Sequence, residues 1–375
     1  MHIIIQLYKI YLPRPGGERK NKEGYEMRKA IKTALITGIG AAMLIGLSGC
    51  GSNQSPVSAP AIQKSQQTPI AQPFSKLQEA SDQYLKQNKM LTVNPQDIYD
   101  KVVINSDTSY VLIDVRSAEH YANAHIPGSI HVNYGDAWRE EKTAYLPKDK
   151  KIIVVDYSGH AASQVAALWN MLGYDAVAMK NGMAGWSKNR EIIGGSPMPC
   201  DTLNYPVVQA AAPSASYDLP VMDAKATTVS ELVAIQSKGA SEKPVVIQAA
   251  ELNEKLTGGS YYIVDLRDSV HYQAGHIAGA VNIPFRSLAE QDNLKKIPTD
   301  KQVVMVCYDG HASSQAARIV NQLGYNAVAL RDGMSLWAND AKVIGGSVIA
   351  CAHVPENPIA KLNAVLKAAP GGAAT

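Results

Sequence analysis

Short apolar runs alternate with longer segments of helical period along most of this chain. Residues 111–114 and 263–265 are brief apolar, β-rich runs, and 152–155 and 303–306 are unbroken apolar stretches of the kind buried on both faces of a sheet. Residues 161–172 and 312–323 have helical spacing and run into Gly173 and Gly324, which suit C-caps. Residues 176–179 and 327–330 follow as further strands, and 74–86 and 230–236 read as the helices that open each series. Strand alternating with helix predicts an α/β fold, a parallel sheet flanked by helices.

The series is written twice. Tyr-Val-Leu-Ile-Asp-Val-Arg at 110–116 returns as Tyr-Tyr-Ile-Val-Asp-Leu-Arg at 261–267, and Leu-Gly-Tyr-Asp-Ala-Val-Ala at 172–178 as Leu-Gly-Tyr-Asn-Ala-Val-Ala at 323–329. Asn-Gly-Met at 181–183 returns as Asp-Gly-Met at 332–334, and Trp186 as Trp337. The offset is 151 residues throughout, and six of the nine His fall into the pairs His120/His271, His125/His276 and His160/His311. Two copies are too few for a solenoid, so each is expected to close as its own domain.

The first 73 residues follow another pattern. A short basic stretch at 27–32 precedes an apolar run at 33–47 and then Ser48-Gly49-Cys50. That is the plan of an export signal, and the run is short for a spanning helix. The ending Leu47-Ser48-Gly49-Cys50 resembles a bacterial lipobox, which implies lipidation of Cys50 and an exported protein anchored to the cell envelope. Residues 1–26 read as an over-called start ahead of Met27. Residues 50–73, rich in Ser, Gln, Pro and Ala, read as a flexible tether. The expected boundaries are then domain one at 74–198, a linker at 199–227, domain two at 228–352 and a tail at 353–375.

Charge changes the picture once this segment is set aside. The whole chain carries +3, from 36 Lys+Arg and 33 Asp+Glu. Residues 50–375 hold 28 against 30, so the mild basicity belongs to the leader and no nucleic-acid partner is expected. Four Cys in 375 residues exclude a disulfide-built scaffold.

The candidate chemistry lies where a strand meets a loop and a helix. Residues 303–306 deliver Cys307, then Tyr308, Asp309, Gly310, His311, Ala312 and Ser313 lead into the helix. A Cys at the carboxyl end of a parallel strand sits where open α/β sheets bind ligands. A loop curling into a helix N-terminus turns backbone N–H groups inward as an anion nest, an arrangement expected to favour thiolate. Gly310 permits the torsions of such a loop. Copy one has Asp156 where copy two has Cys307.

Asp-x-Arg, then Gly-His-Ile-x-Gly-Ala, then Cys-x-x-Gly at a strand end, then Gly-Met-x-x-Trp in copy two resembles the rhodanese (sulfurtransferase) family. Copy one carries the same series with Ala-His-Ile-Pro-Gly-Ser and with Asp156 for the Cys, and since a carboxylate cannot carry sulfur, copy one is expected to be inactive. The resemblance implies two tandem rhodanese-like domains with the active site in the second. It implies a Cys307 persulfide that takes sulfane sulfur from a small donor and gives it to a thiol or cyanide acceptor, with no cofactor. Departures from the family pattern bear on the substrate. Tyr308 and Asp309 stand where thiosulfate-using members have basic residues, Ala312 where many single-domain members have Arg, and His271 where tandem members have a substrate-binding Arg. Weak thiosulfate:cyanide activity is therefore expected. His311 and His271, if protonated, are candidates to supply charge. Asp265 and Arg267 are expected as a buried pair beneath the loop, with substrate contact as the alternative, and His125 and His276 as turn-orienting residues.

Related phosphatases need Arg six residues after the Cys; Ser313 stands there. No Cys-x2-Cys, His-Glu-x-x-His or glycine-rich nucleotide motif appears, so no metal is expected. Cys200 and Cys351 also differ by 151, each four residues after Gly-Gly-Ser, and a disulfide between them is the expectation, with two free thiols as the alternative. Besides a sulfurtransferase, two other functions fit: a selenite-, tellurite- or sulfur-handling lipoprotein serving a membrane redox partner, and a non-catalytic binding module.

Overall fold

The computed structural model describes residues 73–87, 89–213, 215–239, 242–346 and 354–362. The expected leader, tether and lipidated Cys50, and Cys351, lie outside the described residues. Copy one builds β1 (Thr92–Val93), β2 (Tyr110–Asp114), β3 (Ile130–His131), β4 (Lys151–Val155) and β5 (Asp175–Met179) into one sheet in the order β1-β5-β4-β2-β3, every pair parallel. Copy two repeats it with β6 (Val246–Ile247), β7 (Tyr261–Asp265), β8 (Val281–Asn282), β9 (Gln302–Val306) and β10 (Asn326–Leu330), in the order β6-β10-β9-β7-β8. The chain is thus two tandem α/β domains, each a parallel five-stranded sheet flanked by helices. The central strands β4 and β9 are buried after their first residue, which is why their sequence reads as continuous apolar runs.

Four helices matter for the site: α1 (Pro73–Lys86), α2 (His160–Met171), α3 (Val229–Gln236) and α4 (His311–Gln322). Helices α2 and α4 pack on one another between the two sheets and are buried along most of their length. Ala162, Ala166 and Ala167 of α2 and Ala316 and Ala317 of α4 are buried there, and small side chains let two helices approach closely. One hydrophobic core therefore runs through both copies, from Val154 and Trp169 to Val264, Met305 and Cys307. The opposite face of each sheet has a core of its own, around Trp186 in copy one and Trp337 in copy two, both wholly buried. Truncating either Trp would cost about 3–5 kcal/mol.

The segments read as linker and tail each make contacts with the copy they do not follow. After copy one, Leu203 and Tyr205 donate backbone N–H groups to Leu336 and Trp337 of copy two, both at 2.8 Å, and Val208 bridges His276. After copy two, Ala360 bridges His125 of copy one, and Trp186 Nε1 donates to Pro358 O at 2.9 Å. Each copy is thus closed by chain that follows the other. Helix α1 also crosses over: Gln78 Nε2 donates to Ala289 O of copy two at 2.6 Å, and Arg286 Nη1 to Gln87 O at 2.9 Å. Among the described residues no helix is long and apolar enough to cross a membrane.

Candidate active site

Strand β9 is the middle strand of its sheet, and Cys307 is the first residue beyond it. Gly310 ends the loop with φ +88°, a conformation that favours glycine, and α4 begins at His311, one residue earlier than the spacing predicts. This turn aims two backbone N–H groups at the sulfur. Gly310 N lies 3.1 Å and Ser313 N 3.3 Å from Cys307 Sγ. The thiol in turn donates to Ser313 Oγ at 3.4 Å, and that hydroxyl donates to Gly310 O at 3.0 Å. Gly333 locks the loop from behind: its φ is +54°, and a Cβ there would stand 2.5 Å from Cys307 O and 2.9 Å from Asp309 N.

The loop amides favour thiolate as expected, but burial outweighs them. Cys307 is 1% exposed, and burial pushes its thiol up to about 11, with the nearby Asp309 carboxylate adding to the rise. The amides and hydroxyl of Ser313 pull the other way but lose to desolvation. Burial therefore favours the neutral thiol over the thiolate at this position.

Asp156 occupies the matching position in copy one, and its carboxylate fills its own nest. It accepts from Gly159 N and, at 2.9 Å, from Ala161 N, and burial raises its pKa. The carboxylate thus takes amides that would otherwise face a bound anion in that copy.

The remaining candidates are placed as follows. Asp265 and Arg267 form a wholly buried ion pair, Nη2 to Oδ2 at 2.6 Å, and Arg267 also donates to Val343 O and to Gly275 O at 2.8 Å. That burial overturns the substrate-contact alternative: the pair ties the start of the 267–275 segment to residue 343. His271 Nδ1 lies 3.0 Å from the Tyr308 hydroxyl, which donates to Asp268 Oδ1 at 2.8 Å, so His271 is tied to the loop through Tyr308. Burial raises the Tyr308 phenol to about 12, so it stays protonated. His125 and His276 are buried with Nδ1 at 2.7 and 2.8 Å from the carbonyls of Tyr121 and Tyr272. Ala312 lies in the first turn of α4 and packs against the shared core. Cys200 is disulfide-bonded, and its expected partner Cys351 lies outside the described residues.

His311 does not face the sulfur, which corrects its expected role beside the thiol. Its ring crosses into copy one, where Nε2 accepts the Asn181 N–H at 3.0 Å and packs over Gly159. Nδ1 lies 3.2 Å from Asp309 Oδ1 without hydrogen-bond geometry. The reciprocal contact is present: His160 Nε2 accepts the Asp332 N–H at 3.2 Å. The two rings stack with centroids 5.6 Å apart at 16°. Around them Lys180 of copy one lies 3.4 Å from Asp309, and Arg331 lies 3.3 Å from Asp332. Burial works against the ionised form of Asp309, but its contacts with His311 and Lys180 prevail and hold the carboxyl well below its ordinary range. Sequence reasoning missed Lys180, Asn181, Arg331 and Asp332 as neighbours of the loop. The signal available was the repeated Asn-Gly-Met and Asp-Gly-Met: Asn181 and Asp332 have φ +59° and +55°, at turns that present their N–H to the other copy.

The rhodanese-like domain family matches residues 99–189 and 248–340. The thiosulfate sulfurtransferase GlpE of Pseudomonas entomophila is 38% identical over 76 residues, covering 20% of this chain and 68% of that protein. The HTH-type transcriptional regulator Rv0324 of Mycobacterium tuberculosis is 38% identical over 93 residues, 24% of this chain and 40% of the regulator. The probable adenylyltransferase/sulfurtransferase MoeZ of the same species is 34% identical over 98 residues, 26% of this chain and 25% of MoeZ. The chain thus spans well under half the length of these last two relatives, matching them over one domain. With the duplicated sheets, the strand-end loop in each copy and these matches together, the chain belongs to the rhodanese family, as two tandem rhodanese-like domains of which the second carries the loop cysteine.

Proposed function

We propose that the chain is a sulfurtransferase that passes sulfane sulfur through a persulfide on Cys307. The observation that carries this reading is the pair of amides, Gly310 N and Ser313 N, converging on Sγ at 3.1 and 3.3 Å. Donors so placed stabilise negative charge on sulfur as it develops, without reorganising. The relatives named as sulfurtransferases support the reaction class.

The Cys307 proton leaves to solvent, and Sγ attacks the outer sulfur of a sulfane donor such as thiosulfate. The new S–S bond forms as the donor's S–S bond breaks, and sulfite departs with the bonding pair. An acceptor thiolate or cyanide then attacks the outer sulfur of the persulfide. Cys307 leaves as thiolate, its charge received by the same two amides. Asp309 disfavours a dianionic donor, and Lys180 offsets it in part. The apolar surroundings of Cys307, with Phe285 packed against the same core, keep water from the persulfide. Copy one, its nest filled by Asp156, serves as the wall that holds the catalytic loop through Lys180 and Asn181. The export signal and Cys50 put this activity at the cell envelope in our proposal.

A donor screen with thiosulfate, mercaptopyruvate, polysulfide and selenite tests the reading. Wild type is expected to transfer sulfur from at least one sulfane donor, with thiosulfate a poor one, and Cys307→Ser from none. Full transfer by Cys307→Ser would refute it.

A further inference from the structure

Arg318 lies on α4, two turns beyond the loop, and points across the seam into copy one. It is 3% exposed, and its Nε and Nη2 are both buried without a hydrogen-bond partner. Its guanidinium carbon stands 4.6 Å over the Trp138 ring, so one face is covered by indole. No carboxylate pairs with it among the described residues. Tyr134, which acts on it electrostatically and packs edge-on against Trp138, spends its hydroxyl on Gln164 Oε1 at 2.6 Å.

The unfilled atoms are the ones that matter for recognition. Nε and Nη2 lie on one edge of the guanidinium and present two parallel N–H bonds. Arg267 fills that same edge with the Asp265 carboxylate, Nε to Oδ1 at 3.0 Å and Nη2 to Oδ2 at 2.6 Å. Arg116 fills it with Asp114. Arg318 keeps the fork and lacks the two oxygens. A buried cation without a partner is costly, and a ring face does not supply the missing acceptors.

The duplication shows that the seam does not require this arrangement. The counterpart of Arg318 is Ala167, and the counterparts of Tyr134 and Trp138 are Phe285 and Ala289. Guanidinium, phenol and indole thus occur together on one side of the pseudo-symmetric interface and are all missing from the other.

We propose that Arg318, with Trp138 and Tyr134 beside it, is a binding site for a small oxyanion, distinct from the Cys307 nest. The ligand presents two oxygens on one edge to Nε and Nη2, as a carboxylate or a tetrahedral sulfur or phosphorus oxyanion does. Bound there, it bridges the catalytic copy to copy one.

The test uses the Cys307→Ser protein, so that sulfur transfer plays no part, and follows arginine Nε–H resonances by NMR during titration with sodium sulfate, phosphate or acetate against sodium chloride. The Arg318 signal, assigned by its loss in Arg318→Lys, is expected to shift saturably. Arg116 and Arg267, whose edges are filled, are expected to stay put. Sulfate against acetate tells a tetrahedral oxyanion from a carboxylate. Binding by calorimetry is expected to weaken about tenfold or more in Arg318→Met. An Arg318 signal that moves no more than in chloride overturns the proposal, as does a shift common to all arginines or binding that survives Arg318→Met. If Arg318→Met does not fold, the titration of the Arg318 signal decides alone.

Discussion

The backbone N–H of Asp332 in copy two donates to Nε2 of His160 in copy one, 3.2 Å away and out of water. An accepting nitrogen cannot also carry a proton, so this contact needs His160 neutral. Burial lowers its pKa to about 3, with Arg331 adding to the fall against Asp309. The unfolded chain binds that proton near the ordinary histidine value, so stability from this group is present above about pH 6.5 and is lost as pH falls. In urea melts between pH 7.5 and 4, wild type should lose up to about 1.4 kcal/mol per pH unit more than His160→Gln. Asp156, whose raised pKa acts with the opposite sign, is common to both proteins. Parallel slopes would remove His160 as the acid-sensitive group.

Asp309 and Lys180 should move the Cys307 thiol in opposite directions. The Asp309 carboxylate raises the thiol pKa, so Asp309→Asn lowers it and speeds alkylation by iodoacetamide at pH 8. Lys180→Met leaves the carboxylate uncompensated and slows alkylation. Half a pKa unit is about threefold in thiolate fraction. Neither change restores an ordinary thiol, because burial is the larger cause. Equal rates in all three proteins would show that the seam does not reach the sulfur.

Gly333 and Gly182 are counterparts, and each would clash with a loop if given a side chain. A Cβ on Gly333 meets Cys307 O at 2.5 Å, and one on Gly182 meets Asp156 O at 2.5 Å. Gly333→Ala and Gly182→Ala should each cost about 1–3 kcal/mol in stability. Only Gly333→Ala should abolish persulfide formation, since only its loop holds the sulfur. Thermal melts beside persulfidation rates separate the two effects; equal activity losses would contradict the division of labour between the copies.

Cys200 is disulfide-bonded, and we predict Cys351 as its partner. Peptide mapping without reductant should recover that pair. Reduction should cost about 2–5 kcal/mol in stability while leaving Cys307 able to carry sulfur. A Cys50–Cys200 link would sink both this pairing and the lipidation of Cys50.

The repeat, the parallel sheets and the strand-end loop were legible because each rests on local pattern. The apolar runs at 152–155 and 303–306 mark central strands, and Gly310 marks the turn. The two-residue strands β1, β3, β6 and β8 are too short to show a period. The balance at Cys307 has a different cause: sequence names the amides that favour thiolate but not the burial that opposes them. His311 was legible as a loop residue, while its direction was not, because a side chain's partner across a domain seam depends on how the copies dock. Arg318 is one polar position within the helical run 312–323, and only the docking of copy one takes it out of water.

Intact-mass analysis after incubation with polysulfide or thiosulfate, followed by cyanide, tests the sulfur-carrying role of Cys307 most directly. Wild type should gain one sulfur atom, located on the Cys307 peptide, and lose it to cyanide as thiocyanate appears. Cys307→Ser should gain none, and Asp156→Asn should behave as wild type. No added sulfur from any sulfane donor, or added sulfur that persists in Cys307→Ser, would contradict it.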